Sequence, residues 1–106
     1  MVKNNRRQFP RIFVSLTATY RSPNLTIDAS VENLSQAGLF IASSTVEDIG
    51  TSAELVLDLP GRLSPLILPC SVAWSSDIHG MGLRFSELPR DQRAALANFI
   101  MGRVNN

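Results

Sequence analysis

The sequence predicts a mainly β domain in which six short antiparallel strands form a small barrel or sandwich, followed by one C-terminal α-helix. The first observation is a series of short segments that alternate apolar with polar residues and are separated by turns rich in Gly, Pro and Asn. The second is a change to a helical period that occurs only after residue 87. The length of 106 residues is that of one domain with its own hydrophobic core.

Three strands are predicted in the first half of the chain. The segment IFVSLTATY (12–20) has the period-2 pattern of a half-buried strand and ends in the turn residues of 21–24. In LTIDASVEN (25–33) we expect four side chains to point inward: Leu25, Ile27, Ala29 and Val31. Because GLFIAS resumes an extended pattern, we expect a hairpin closed around Asn33 to Gly38.

Three further strands follow in the second half. AELVLDLP (53–60) stops at a Pro-Gly turn. LILPCSVAWS (66–75) contains Pro69, which suggests an edge position or a bulge because proline cannot donate to a strand ladder. MGLRFSEL (81–88) is the sixth predicted strand.

The end of the chain, LPRDQRAALANFIMGRV (88–104), is predicted to form a helix of about three to four turns. Pro89 suits its first turn, and Gly102 lies near its C-terminal end. One helical face would carry Leu96, Phe99, Ile100 and Val104. We expect that face to pack on the strands or on a partner.

Composition and charge exclude several classes of protein. No run approaches the roughly 18 to 20 apolar residues of a membrane helix, and the N-terminus lacks the apolar stretch of a secretory signal. We therefore expect a cytoplasmic protein without membrane insertion. The formal net charge of +1 argues against a general nucleic-acid binder. Cys70 is the only cysteine, so it cannot form an internal disulfide, and we expect it to be a small, buried strand residue.

The sequence does not support an enzyme. His79 is the only histidine, lies in a predicted turn beside Gly80, and has no cysteine or carboxylate cluster at metal-ligand spacing. The chain has no G-x-S-x-G nucleophile motif, no P-loop and no G-x-G-x-x-G fingerprint. We predict no catalytic residues, no metal and no cofactor.

The segment RRQFPR (6–11) concentrates positive charge at one end of a nearly neutral chain. Pro10 disfavours a helix, so Arg7 and Arg11 are expected on an extended or turning loop that can fold over an anion. A guanidinium can bond two phosphate oxygens, or guanine O6 and N7, and can stack on a base. The alternative interpretation is a solvated basic tail.

A second pattern, N-x-S-x-x-G, is formed by Asn33, Ser35 and Gly38 between two predicted strands. Gly38 stands where a positive φ, or the close approach of a ligand to the backbone, would require glycine. Asn, Ser and Gly are also ordinary turn residues, so a hairpin turn without a binding role is the alternative.

Together, Arg7-x-x-x-Arg11 and Asn33-x-Ser35-x-x-Gly38 resemble the motifs of the PilZ domain family, the bacterial receptors for cyclic di-GMP. Further segments follow the order and spacing of such domains: AELVLDLP, the V-A-W of 72–74, the G-M-G-L-R-F of 80–85 and the closing amphipathic helix. The resemblance therefore covers nearly the whole chain.

The resemblance implies a six-stranded antiparallel PilZ-type β-barrel with the N-x-S-x-x-G turn on its outer surface and the arginine loop closing over the ligand. Arg7 and Arg11 would then take phosphate oxygens and guanine edges. Asn33 and Ser35 would bind polar edges of a guanine, and Gly38 would let the ligand approach the backbone. Because Asn33 is a neutral amide where the family also uses Asp, we expect somewhat weaker binding than with a carboxylate.

Three more residues enter the predicted site or its neighbourhood. In the family, an arginine at the position of Arg6 accompanies binding of a stacked, intercalated dimer of the ligand. Trp74 is either a stacking platform for a guanine or a barrel residue. Arg84 is expected to point outward and to be solvated or paired.

We therefore predict a non-catalytic cyclic di-GMP receptor. Residues 1–11 would be a flexible N-terminal loop that clamps the ligand, and residues 12–104 a single PilZ-like barrel domain with its C-terminal helix. Ordering of the loop would signal to a downstream protein in motility, pilus or biofilm control. The alternative is a ligand-independent adaptor that docks through the barrel and helix. A single-strand nucleic-acid binder is less favoured, because one tryptophan, one tyrosine and a charge of +1 provide little for a stacking groove.

Overall fold

The computed structural model describes residues 9–104. Within that range it contains these elements in chain order: β1 (Ile12–Arg21), β2 (Thr26–Leu34), β3 (Gly38–Ala42), β4 (Ser52–Leu57), β5 (Leu66–Ser76), β6 (Gly80–Phe85) and α1 (Arg90–Val104). All strand pairs are antiparallel, and they close into one barrel in the order β1-β2-β3-β6-β5-β4. The predicted mainly β fold with six antiparallel strands and a C-terminal helix is confirmed, and of the two arrangements it is the barrel.

The barrel interior is filled by apolar side chains from every strand. Its largest fully buried members are Tyr20, Val31, Leu34, Leu39, Ile41, Leu55, Leu57, Leu66, Leu68 and Met81. In β2 the predicted alternation holds as far as Val31, because Ile27 and Ala29 are partly buried and Val31 is fully buried. The period-2 pattern therefore identified the core face of this strand correctly.

Tyr20 brings one polar atom into this core. Its hydroxyl donates a hydrogen bond to the Glu47 carboxylate in the segment between β3 and β4. Burial, and then the Glu47 charge and hydrogen bond, raise the pKa of Tyr20 above its ordinary value. The hydrogen bond satisfies a hydroxyl that would otherwise be costly to bury.

The helix α1 packs against β1 and β5, and its buried residues Leu96 and Ile100 join the barrel core. Phe99 is partly buried, with the Arg103 guanidinium 4.7 Å from its ring centroid. Val104, which was expected on the same face, does not pack on the barrel. It is 43% exposed because the last turn of α1, from residue 101 onward, lies in solvent. Within residues 9–104, no helix combines the length and apolar character needed to cross a membrane.

Pro69 lies where β5 extends past the end of β6. The last residue pair of these two strands is Cys70 with Phe85, and the Pro69 carbonyl accepts a hydrogen bond from the backbone N–H of Ser86 at 2.8 Å. Although the barrel is closed, Pro69 thus lies at a local edge of β5 with β4 on one side only, while the bulge of β5 lies between Val72 and Trp74. Proline is tolerated here because its nitrogen faces a position that β6 does not reach.

Candidate ligand-binding site

A groove of about 460 Å³ crosses the outer face of the barrel over β2, β3, β6 and β5. Its lining comes from Arg11, Asn33, Ala37, Gly38, Leu39, Phe40, Ala73, Trp74, Gly82, Leu83 and Arg84. Among these described residues are two arginines and no acidic side chain, so we refer to it as the cationic groove. Its charge and its aromatic residues suit an anionic ligand that also carries planar rings.

A β-bulge in β2 directs Asn33 into this groove. Between the pairs Val31–Ile41 and Asn33–Phe40, β2 has one residue more than β3, and this extra residue is Glu32. Strict alternation from the buried Val31 would turn Asn33 inward, as the predicted inward set of this strand implies. The bulge places Glu32 and Asn33 on the outer face together, with Leu34 buried again after them. Bulges re-aim side chains in this way beside functional sites.

A second bulge does the same for Trp74 in β5. The register slips between the pairs Val72–Leu83 and Trp74–Gly82, and the extra residue is Ala73. As a result Ala73 and Trp74 both face outward, whereas alternation from the buried Val72 would have placed Trp74 in the core. Trp74 is 48% exposed on the outer surface of the barrel beside the groove, and its stacking against a guanine stays a prediction.

Gly82 lies between two aromatic side chains on the outer face of the barrel. It pairs with Phe40 of β3 on one side and with Trp74 of β5 on the other. The rings of Phe40 and Trp74 meet across it, with centroids 5.7 Å apart and planes inclined by 47°. A glycine here leaves an open platform on which a planar ring can lie against aromatic side chains.

The turn from Asn33 to Gly38 is organised by Ser35, whose side chain is buried. Its hydroxyl accepts hydrogen bonds from the backbone N–H groups of Ala37 at 3.1 Å and Gly38 at 3.3 Å, and lies 3.3 Å from the Gly38 carbonyl. The Ser35 N–H donates to the same carbonyl at 2.8 Å. The structure therefore gives Ser35 a role in shaping the turn, and its contact with a guanine stays a prediction.

Gly38 is required by the neighbouring strand. Its φ is not positive, unlike those of three other glycines, so the positive-φ explanation for this residue is wrong. A Cβ at Gly38 would lie 2.1 Å from the Leu83 carbonyl oxygen of β6, which no side chain tolerates. Gly38 thus permits the close approach of β3 and β6 beneath the groove.

The two sequence motifs meet at the mouth of the cationic groove. Arg11, immediately before β1, donates a hydrogen bond from Nη1 to Oδ1 of Asn33 in β2. The predicted residues Arg11, Asn33, Gly38 and Trp74 all line the same groove. Arg6 and Arg7 lie outside the described residues.

Arg84 is the residue that the sequence interpretation left out of the site. It is exposed on β6, pairs in register with Gly38, and lines the same groove as Arg11. Within residues 9–104 it makes no ion pair with a carboxylate. Phe40 and Gly82 were also missed. The alternating pattern of G-M-G-L-R-F placed Arg84 outward, but only the barrel order brings β6 between β3 and β5.

A second groove, of about 670 Å³, adjoins the cationic groove on the side of the β5–β6 turn. Its lining residues are Glu32, Asn33, Phe40, Ala42, Trp74, Ile78 and His79. It shares Asn33, Phe40 and Trp74 with the cationic groove, so these three residues form the divide between the two. We call it the acidic groove, because Glu32 is its only carboxylate among the described residues and it contains no arginine.

A comparison with family models matches residues 5–102 of the chain to the PilZ domain. The chain belongs to the PilZ domain family. The predicted resemblance is therefore confirmed over nearly the whole length, including both bulged strands and most of α1. No match is found among curated proteins.

Solved structures show the same fold. The inhibitor of motility MotI/DgrA of Bacillus subtilis superposes with a TM-score of 0.80 at 21% identity, over 97% of this chain and 53% of the other. The PlzA protein of Borreliella burgdorferi, in complex with c-di-GMP, gives 0.69 at 14% identity, over 90% and 41%. The PilZ domain of CeSA from a cellulose-synthesizing bacterium gives 0.68 at 16% identity, over 88% and 96%. This PilZ chain thus spans about half the length of the first two proteins.

Proposed function

We propose that this PilZ domain is a receptor for cyclic di-GMP that binds the ligand in the cationic groove. The observation that carries the proposal is the direct contact of Arg11 with Asn33, which joins the arginine motif to the N-x-S-x-x-G turn at the mouth of a groove bordered by Trp74. PilZ domains act as receptors or adaptors, and one of the structural neighbours, PlzA, was solved with c-di-GMP bound. The proposed function needs no catalytic group.

The groove chemistry fits the two parts of this ligand. Arg11 and Arg84 offer planar guanidinium groups to the phosphates and to guanine acceptor atoms. Trp74 and Phe40 offer ring faces for a guanine over Gly82. In this proposal Asn33 bonds a guanine edge, Ser35 holds the turn that presents Asn33 and contacts the same guanine, and Gly38 keeps the backbone open to the ligand.

The proposal extends to the N-terminal residues 1–11. Arg6 and Arg7 would close over the ligand together with Arg11, and the third guanidinium, Arg6, would offset the charge of an intercalated ligand dimer. Ordering of this loop costs conformational entropy, and charge-assisted hydrogen bonds of about 1.5–3 kcal/mol each would outweigh that cost. The ordered loop would signal to a downstream protein in motility, pilus or biofilm control; the neighbour MotI is named as an inhibitor of motility.

The test is a calorimetric titration of cyclic di-GMP into the whole chain, with GTP and cyclic di-AMP as controls. Because Trp74 is the only tryptophan, a change in its fluorescence on binding reports whether the ligand lies beside it. We expect specific binding, and a stoichiometry of two ligands per chain would support the role of Arg6. A stoichiometry of one would retain the receptor without that role. The absence of heat and of a thermal shift would favour the ligand-independent adaptor.

The decisive variant is Arg11→Ala. Arg11 is exposed, so we expect the melting temperature of the ligand-free protein to stay nearly unchanged. Loss of its charge-assisted hydrogen bonds should weaken binding by about ten- to hundred-fold or more. Arg11→Lys is the matched control, because it keeps the positive charge but loses the planar guanidinium. Its affinity for cyclic di-GMP should lie between those of Arg11→Ala and the unaltered chain. Unaltered affinity in Arg11→Ala would refute the proposed role of this residue.

A further inference from the structure

The linings of the two grooves carry opposite charge on either side of the Phe40–Trp74 pair. On one side the cationic groove has Arg11 and Arg84, and on the other the acidic groove has Glu32. The acidic groove is also apolar, since Phe40, Trp74 and Ile78 line it and Ile78 is 81% exposed. A site for phosphates alone would gain nothing from an acidic, aromatic extension. The arrangement suits a ligand with anionic groups at one end and a planar ring bearing N–H donors at the other.

The β2 bulge places Glu32 where it can meet such a ring. Glu32 is the extra residue of that bulge, so its carboxylate lies on the outer face next to Asn33 instead of alternating away from it. Within residues 9–104 Glu32 makes no ion pair and no side-chain hydrogen bond. Nothing in the described chain therefore neutralises this carboxylate or fixes it elsewhere.

The contact between Arg11 and Asn33 limits what Asn33 can offer. Its Oδ1 already accepts a hydrogen bond from Arg11, which leaves this oxygen a single further lone pair, and its Nδ2 can only donate, so Asn33 alone cannot accept from two donors. Guanine presents two adjacent donors on its Watson–Crick edge, N1–H and N2–H₂, which require acceptors. The nearest carboxylate on the lining of the two grooves is Glu32, and an ionised carboxylate is acceptor-only, with two oxygens suited to two parallel N–H groups.

We propose that the acidic groove is a guanine-selective subsite in which Glu32 accepts hydrogen bonds from N1–H and N2–H₂ of a base that stacks on Trp74 and packs against Ile78. This inference rests on the proposed binding of cyclic di-GMP and names how that ligand is distinguished from its relatives. Adenine has no N2 amino group and has an acceptor at N1, so it would face Glu32 with a lone pair. A site whose acceptors pair with N–H donors discriminates against an analogue that presents a lone pair at the same place.

The charge of Glu32 makes the test unambiguous. If Glu32 were only a negative charge near an anionic ligand, its removal would strengthen binding. If its carboxylate accepts hydrogen bonds from guanine N1–H and N2–H₂, its removal weakens the binding of cyclic di-GMP. The two explanations therefore predict opposite signs for the same substitution.

The experiment titrates the whole chain and its Glu32→Ala and Glu32→Gln variants with cyclic di-GMP, cyclic di-IMP and cyclic di-AMP. Hypoxanthine keeps N1–H but lacks the N2 amino group, so cyclic di-IMP isolates the second hydrogen bond. We expect Glu32→Ala to weaken cyclic di-GMP binding about ten- to hundred-fold, cyclic di-IMP by less, and cyclic di-AMP not at all. Glu32→Gln, which keeps one acceptor, should lie between Glu32→Ala and the unaltered chain for cyclic di-GMP.

The matched control is Asp58→Asn. Asp58 is exposed, follows β4 and lines neither groove, and its substitution raises the formal net charge by one, as the Glu32 substitutions do. If Glu32→Ala binds cyclic di-GMP as tightly as Asp58→Asn or more tightly, the subsite is wrong while the receptor stands. If the unaltered chain does not bind cyclic di-GMP, both proposals are wrong. A loss confined to the Glu32 variants, with reduced selectivity against cyclic di-AMP, supports the subsite.

Discussion

At the scale of the residue, the two glycines of the cationic groove lack side chains for different reasons. A Cβ on Gly82 would lie 3.3 Å from Cβ of Trp74, a contact that a side chain can relieve by moving a few tenths of an ångström. A Cβ on Gly38 would instead lie 2.1 Å from a backbone oxygen of β6, which the hydrogen-bonded ladder holds in place. The missing side chain of Gly82 therefore leaves room for the Trp74 side chain, whereas that of Gly38 allows β3 and β6 to pair.

This difference leads to a prediction for Gly38→Ala. Because β3 and β6 must separate to admit the methyl group, we expect a loss of about 3 kcal/mol in the free energy of unfolding, measured by urea denaturation. Gly102→Ala is the control: its Cβ would meet nothing within 4 Å, and alanine favours a helix over glycine by about 0.5–1 kcal/mol. Equal stability of Gly38→Ala and the unaltered chain would contradict the close approach described above.

At the scale of the element, the N-terminal end of β5, residues 66–69, depends on α1 for one of its backbone hydrogen bonds. β6 pairs with β5 only from Cys70 onward along β5. The backbone N–H and C=O groups of residues 66–69 that point toward the β6 side therefore need other hydrogen-bond partners. Pro69 has no N–H, and its carbonyl is taken by Ser86. The N–H of Ile67 donates to Oε1 of Gln92 in α1 at 2.8 Å. A side chain of the helix thus completes the strand, in addition to the packing of Leu96 and Ile100.

We therefore predict that Gln92→Ala lowers the free energy of unfolding by about 1 kcal/mol, because the N–H of Ile67 loses its partner. Gln92→Glu keeps an acceptor oxygen of the same reach, and a carboxylate in the first turn of a helix is favourable, so stability should be retained. Chemical denaturation of both variants measures the difference. If Gln92→Glu, which keeps the side-chain shape and an acceptor oxygen, is destabilised as much as Gln92→Ala, the hydrogen bond from Ile67 is not what stabilises this end of β5.

At the scale of the whole molecule, the sequence predicts the strands better than the site. Period-2 patterns locate all six strands and the buried face of β2, since alternation follows directly from strand geometry. The outward positions of Asn33 and Trp74 depend on bulges at Glu32 and Ala73, which no alternating pattern reveals. The place of Arg84 depends on the barrel order, which sets β6 between β3 and β5 through contacts that are distant in sequence.

The buried core also sets how the whole molecule responds to alkaline pH. Burial, and then the charge of Glu54, raise the pKa of the Cys70 thiol from its ordinary value of 9.0 to about 12. Between these values the unfolded chain releases the thiol proton while the folded chain keeps it. The unfolded state then binds fewer protons, so the free energy of unfolding falls as pH rises. Tyr20, whose pKa is raised from 10.0, adds to the same fall at higher pH.

We predict a free energy of unfolding that is level from about pH 7 to 8.5 and decreases above about pH 9, with a slope approaching 1.4 kcal/mol per pH unit for each buried group that ionises only on unfolding. Urea denaturation at a series of pH values measures this slope. In Cys70→Ala the decrease should begin only near pH 10, where Tyr20 ionises in the unfolded chain. A free energy of unfolding that stays constant up to pH 10.5 in the unaltered chain would show that Cys70 ionises as readily in the barrel as in solution.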